Sequence, residues 1–150
     1  SEMCIRDRVF GGSGSMGLEA VSRGAKKAYF IERDSKAYSV LKRNCDTIDS
    51  IRTSAMKGDS FEVYPKLVEE LNQKNEKAYL YFDPPFDIRE GMEDIYEKVL
   101  SLIENTPKEI VIMIIIEHAT TTKMAENIGV FRQKKSKKFG KSSLSYYIVE

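Results

Sequence analysis

Ala78-Tyr79-Leu80-Tyr81-Phe82-Asp83-Pro84-Pro85-Phe86 is an apolar run that stops on a carboxylate and two prolines. Residues 78–83 read as a strand, apolar at odd and even positions alike, as a parallel strand covered by helices on both faces would be. Pro84 and Pro85 have no N–H for a ladder, so the strand ends there, and their fixed φ makes the turn stiff. Residues 110–116 repeat the two-sided apolar pattern. Residues 27–32 and 52–56 read as two further strands. Between the strands, apolar residues recur at helical spacing: Ala37, Val40, Leu41 and Ile48, then Phe61, Tyr64, Leu67, Val68 and Leu71, then Met92, Ile95, Val99, Leu102 and Ile103. Strands alternating with amphipathic helices predict an α/β sheet with crossover helices. Residues 130–133 and 144–149 have only a basic stretch between them, which predicts an antiparallel hairpin at the sheet edge.

Residues 4–10 are expected to form the first, central strand, because a glycine turn follows. Ile5-Arg6-Asp7-Arg8-Val9 places three charges in it. That local inconsistency makes residues 1 to about 8 read as a truncation junction or foreign sequence.

Composition narrows the class. A chain of 150 residues suits one domain. Its eight tyrosines and seven phenylalanines argue against disorder. The balance of 24 Lys+Arg against 23 Asp+Glu excludes a uniformly basic binder, so any nucleic-acid surface is local. Two cysteines, Cys4 and Cys45, make no disulfide framework, and with His118 as the one histidine a Cys/His zinc site is not expected. The longest apolar run is far short of the about 20 residues that cross a membrane. No signal segment opens the chain. The expectation is a reduced, cytoplasmic monomer without a metal.

Gly12-Ser13-Gly14-Ser15-Met16-Gly17 fits the Gly-x-Gly-x-x-Gly fingerprint of nucleoside-cofactor sites. Glycine lets a ligand lie against bare backbone, and the N–H groups of the helix that follows are free to donate. Glu32 ends the next strand, where a carboxylate can accept from both hydroxyls of a ribose. The plainer reading is a helix entry and a solvated acid. The fingerprint leaves NAD(P) and S-adenosylmethionine open. Asp59, in Gly58-Asp59-Ser60 after the third strand, leans towards the latter, since an acid there could take the adenine amine. Asp59 is equally a good helix N-cap.

The turn at Asp83-Pro84-Pro85-Phe86 has its own chemistry. The Asp83 carboxylate and the Pro84 carbonyl are acceptors, and Phe86 offers a flat ring. The set suits a planar base bearing an exocyclic amine: two acceptors for its two N–H bonds and a ring to stack on. In an open α/β sheet such a turn lies at the carboxyl end of a strand, where ligands bind.

These residues, with Met16-Gly17-Leu18-Glu19-Ala20, Ser22-Arg23-Gly24-Ala25 and Phe139-Gly140-Lys141-Ser142-Ser143-Leu144, resemble the RsmD-type ribosomal RNA guanine-N2 methyltransferases from about Phe10 to the C-terminus. The resemblance implies a Rossmann-like class I methyltransferase: a mostly parallel seven-stranded sheet, helices on both faces and a C-terminal antiparallel hairpin. It implies that Gly12 and Gly14, with Ser13 between them, approach the methionine part of S-adenosylmethionine. Glu32 would hold its ribose, and Asp59, beside Ser60, its adenine. Asp83, Pro84, Pro85 and Phe86 would hold the target guanine. The implied partner is ribosomal RNA or an assembling small ribosomal subunit. Two departures stand out. Arg8 sits where the family has an acid, and the chain starts too late to contain the family's N-terminal RNA-holding arm. The Asp-Pro-Pro-aromatic motif also serves adenine-N6 methylases of DNA or RNA, so that chemistry, and a non-catalytic RNA-binding remnant, are the alternatives.

Over residues 132–141 six of ten positions are Lys or Arg and none is acidic. Lys134, Lys135, Lys137, Lys138 and Lys141 are expected in a hairpin loop, as phosphate contacts or as solvated surface. Phe139 could stack or pack. His118 reads as a hydrogen-bonded turn histidine, one of Tyr146 and Tyr147 as core, and Cys45 as a small apolar filler.

Overall fold

Alternating strand and helix patterns build one mixed sheet in the computed structural model, which describes residues 2–8, 27–32, 35–49, 53–82 and 95–149. In chain order the elements are β1 (Glu2–Arg8), β2 (Lys27–Glu32), α1 (Ser35–Asp49), β3 (Thr53–Lys57), α2 (Ser60–Gln73), β4 (Lys77–Phe82) and α3 (Ile95–Glu104). A 3-10 turn (Lys108–Ile110) leads into β5 (Val111–Ala119), followed by β6 (Asn127–Ile128), β7 (Phe131–Phe139) and β8 (Ser142–Val149). The strand order is β3-β2-β1-β4-β5-β8-β7-β6.

The expected class is right in outline and wrong in two particulars. The first five strands are parallel, as predicted. The other three ladders, β5 with β8, β8 with β7 and β7 with β6, are antiparallel, so the sheet is mixed rather than mostly parallel. Among the described residues the sheet also has eight strands, not seven. Gly129, at φ 59°, turns the chain back between Ile128 and Phe131 and adds the two-residue β6. The basic stretch is a strand, not a loop. Lysines are tolerated in β7 because Ser142–Val149 supplies its partner ladder, and only Gly140 and Lys141 make the turn. Gly140 has φ 64°, the left-handed value a type II′ hairpin needs at its first central position. The central strand is Glu2–Arg8, two residues earlier than expected where it begins; residues 9 and 10 lie outside the described residues.

Among the described residues, a hydrophobic core cluster lies on one face of the sheet. Tyr64, Leu67 and Leu71 of α2 and Val99 and Ile103 of α3 pack on Leu80 and Phe82 of β4 and Ile114 and Ile116 of β5. Tyr64 meets Phe82 edge-on at 5.4 Å, and its hydroxyl shares a 2.7 Å hydrogen bond with Thr106 Oγ1. Tyr147 on β8 is fully buried and donates to the Ala125 carbonyl, whereas Tyr146 is half-exposed on the other face. Cys45 is buried on α1.

Candidate active site

Five parallel strands end at one edge of the sheet. Arg8, Glu32 and Lys57 are in register across the ends of β1, β2 and β3, and Asp7 is in register with Phe82 and Phe82 with Ile116. The chain goes left from β1 to β2 and β3, then returns to β4 on the other side of β1. The order therefore reverses between β1 and β4, the kind of switch point at which open α/β sheets bind ligands. The glycine turn follows β1 in sequence, and Asp83 is bonded directly to Phe82. Gly12, Ser13, Gly14, Asp83, Pro84, Pro85 and Phe86 themselves lie outside the described residues.

Glu32 is the last residue of β2, one strand from the switch point. Asp59 stands just past the end of β3 and is the N-cap of α2. Its Oδ1 accepts the Phe61 N–H at 2.9 Å, and its carbonyl accepts from Glu62 and Val63. The cap reading of Asp59 is thus realised, and it fixes the carboxylate at the carboxyl edge. Ser60 opens the helix. Gly58 is required by close approach, since a Cβ there would lie 2.8 Å from Val63 Cγ2.

The sequence reading missed a pair at this edge. Tyr81, 2% exposed, donates its hydroxyl to Glu117 Oε1 at 2.5 Å, tying β4, one residue before its end, to β5. The available signal was a lone acid closing the apolar run of β5. His118 is buried on β5 rather than in a turn. Its Nδ1 faces the Ala119 carbonyl at 2.9 Å, and Nε2 meets Ser145 Oγ at 2.7 Å. A carbonyl only accepts, so Nδ1 carries a proton, and Nε2 shares its hydrogen bond with the serine hydroxyl. Nε2 ties β5 to β8, and Nδ1 is held by the next residue of β5 itself. Among the described residues no group of His, Cys, Asp or Glu could hold a metal ion, and no helix is long and apolar enough to cross a membrane.

Lys134, Lys135, Lys137 and Lys138 lie on β7 and Lys141 in its turn, all exposed. Lys138 and Lys141 border an open hollow of about 430 Å³ with Ala119, Thr120 and Thr121, at the carboxyl end of β5. Thr120 is held there by its N–H to the Lys141 carbonyl (2.8 Å) and its hydroxyl to the Gly140 carbonyl (3.0 Å).

The sequence profile of a family described as Conserved hypothetical protein 95 matches residues 5–148. The chain belongs to that family. The resemblance read from the residues is borne out by this match and by relatives named as methyltransferases. YlbH of Bacillus subtilis (strain 168), provisionally named an rRNA methyltransferase, is 26% identical over 145 residues, 93% of this chain and 72% of its own length. Ribosomal RNA small subunit methyltransferase D of Haemophilus influenzae is 33% identical over 96 residues, 63% of this chain and 45% of its own. Among solved structures, HI0767 of Haemophilus influenzae, provisionally named a methylase, superposes with a TM-score of 0.67 at 26% identity, over 97% of this chain and 78% of that one. The fold shared with such proteins is that of the class I methyltransferases.

Proposed function

We propose that this chain transfers a methyl group from S-adenosylmethionine to the exocyclic N2 amine of a guanine in small-subunit ribosomal RNA. Membership of the family, with relatives named as rRNA methyltransferases, supports methyl transfer to rRNA. The observation that carries the site is the register of Asp7 with Phe82: the strands leading into the glycine turn and into Asp83-Pro84-Pro85-Phe86 end side by side at the switch point.

The cofactor suits the acids at this edge. Glu32 closes β2 and Asp59 follows β3; Glu32 would accept from ribose hydroxyls and Asp59 from an adenine amine, with Gly12, Ser13 and Gly14 against the methionine part. S-adenosylmethionine supplies an electrophilic sulfonium methyl. The amine of guanine is a weak nucleophile, because its lone pair is shared with the ring. Asp83 and the Pro84 carbonyl would accept its two N–H bonds, favour a pyramidal nitrogen and stabilise the positive charge that develops on it. Pro85 keeps the turn stiff and Phe86 stacks on the ring. Such preorganised acceptors are worth several kcal/mol, and alignment adds an entropic share. Asp83 need not be a strong base, since the methylated ammonium is acidic enough to lose its proton to water. Lys134, Lys135, Lys137, Lys138 and Lys141 would contact RNA phosphates.

The test is methyl transfer from labelled S-adenosylmethionine to naked small-subunit rRNA, to a partly assembled subunit and to DNA, followed by nucleoside digestion. N2-methylguanosine is the expected product, and N6-methyladenosine or no product overturns the reading. Asp83→Ala should lower turnover by at least about 100-fold. Cofactor affinity should change little; an equal loss there would assign Asp83 to the cofactor.

A further inference from the structure

The pairing of β7 with β8 changes phase at one residue. Phe131, Arg132 and Gln133 stand opposite Val149, Ile148 and Tyr147; past the irregularity, Lys135, Lys137 and Phe139 stand opposite Tyr146, Leu144 and Ser142. Lys134 is the extra residue that the bulge takes up. Had the ladder run on unbroken, Lys135 and Lys137 would face Ser145 and Ser143, on the buried side with His118. The bulge sends them to the opposite side. There Ser142, Leu144 and Tyr146 are only half-buried, whereas Ser143, Ser145 and Tyr147 are buried.

The open face has a definite chemistry. Lys135 Nζ lies 4.8 Å from the centre of the Tyr146 ring, which holds that ammonium over the sheet. Lys137 follows two residues on, a step of about 7 Å along a strand. Phe139 ends the row at 59% exposure, a large ring left in solvent. No acid occurs between Glu126 and Glu150. Outside this row, β6 covers only Arg132 and Phe131, so no strand lies beyond Lys135 to Phe139 among the described residues.

We infer that this face of the β7–β8 hairpin is a platform for an unpaired RNA strand next to the modified base, with Lys135 and Lys137 on successive phosphates and Phe139 stacked on a base. The inference rests on the reading of the substrate as RNA. Regular cations match a polyanion, and the exposed ring selects the kind. In a duplex the base faces are stacked on one another, so Phe139 would have nothing to cover; in a single strand every base has a free face.

The experiment uses the full chain and a labelled RNA of about ten nucleotides, single-stranded or as a duplex, in fluorescence anisotropy across a salt series. The single strand should bind more tightly. Phe139→Ala should weaken single-strand binding by about 5- to 10-fold or more and duplex binding little. Phe139→Leu, apolar but without a ring, should behave like the alanine variant. Lys135→Ala with Lys137→Ala should lower the slope of log affinity against log salt by about 1.4 in magnitude. Lys108→Ala, which removes an exposed charge just before β5, should leave it unchanged. Wild-type affinity in the Phe139 and double-lysine variants, or a preference for duplex, overturns the platform. Methyl transfer to rRNA is measured alongside. A wild-type chain that methylates rRNA, with variants of unchanged KM for RNA, sinks the platform and leaves the enzyme. A wild-type chain that methylates nothing sinks the enzyme, and the platform is then judged by binding.

Discussion

His118 is bonded at both ring nitrogens, and this decides what its loss should do. Leucine in its place would fill the space but leave the Ser145 hydroxyl, 1% exposed, with only Ser136 at 3.4 Å. A buried hydroxyl that loses its short bond and keeps only a long one costs about 1–3 kcal/mol. His118→Leu should therefore lower stability by that amount in urea unfolding while turnover per folded molecule is retained; a collapse of turnover at unchanged stability would make His118 catalytic. Tyr147 offers a pH test. Burial raises its pKa above the ordinary 10.0, opposed by the amide of Gln133, which donates to its oxygen. The folded chain thus holds this proton more tightly than the unfolded one. The stability linked to it is complete below about pH 10 and is lost as pH rises from there through the folded value. Tyr147→Phe should lose about 1 kcal/mol at neutral pH, with the bond to Ala125. Its stability should then fall less steeply than that of the wild type above about pH 10. Parallel curves for the two proteins would count against this account.

At the scale of elements, turns are where single residues decide. A Cβ at Gly140 would meet nothing within 4 Å, so substitution there costs only the left-handed backbone. Gly140→Ala should lose about 1–2 kcal/mol and Lys141→Ala clearly less, because Lys141 is not at positive φ. Equal losses in denaturant unfolding would mean that the turn is not under this constraint. The elements legible in the sequence are those whose burial imposes a period. Residues 27–32 and the apolar faces of α1, α2 and α3 carry it, and the structure has them within a few residues. β7 was not legible at full length. Lys135, Lys137 and Lys138 are exposed, and their strand conformation comes from a partner ladder that a local pattern does not show. β6 is two residues long, below any period. Of the site, Asp59 was legible because a cap and a strand end leave local signatures. Tyr81 with Glu117 was not, since that contact joins residues 36 apart and requires the register of β4 on β5.

For the molecule as a whole, the strand order reverses between β1 and β4. On the proposed function, residues following β1, β2 and β3 would hold the cofactor and those following β4 the target base. Binding to the folded chain alone stabilises it by about 2.7 kcal/mol at a ligand concentration 100 times Kd. In a chain of this size 1 kcal/mol moves the melting temperature by about 2–4 °C, so S-adenosylmethionine should raise it by about 5–10 °C. NADH should not raise it, because the reading of Asp59 and the family both point away from a dinucleotide. Glu32→Gln, at the end of β2, removes the carboxylate proposed to accept from the ribose and should diminish the rise. Asp83→Ala should keep the rise in full, because its strand serves the base. A larger rise with NADH, or an undiminished one in Glu32→Gln, would mean that the two sides of the switch point do not divide the work in this way.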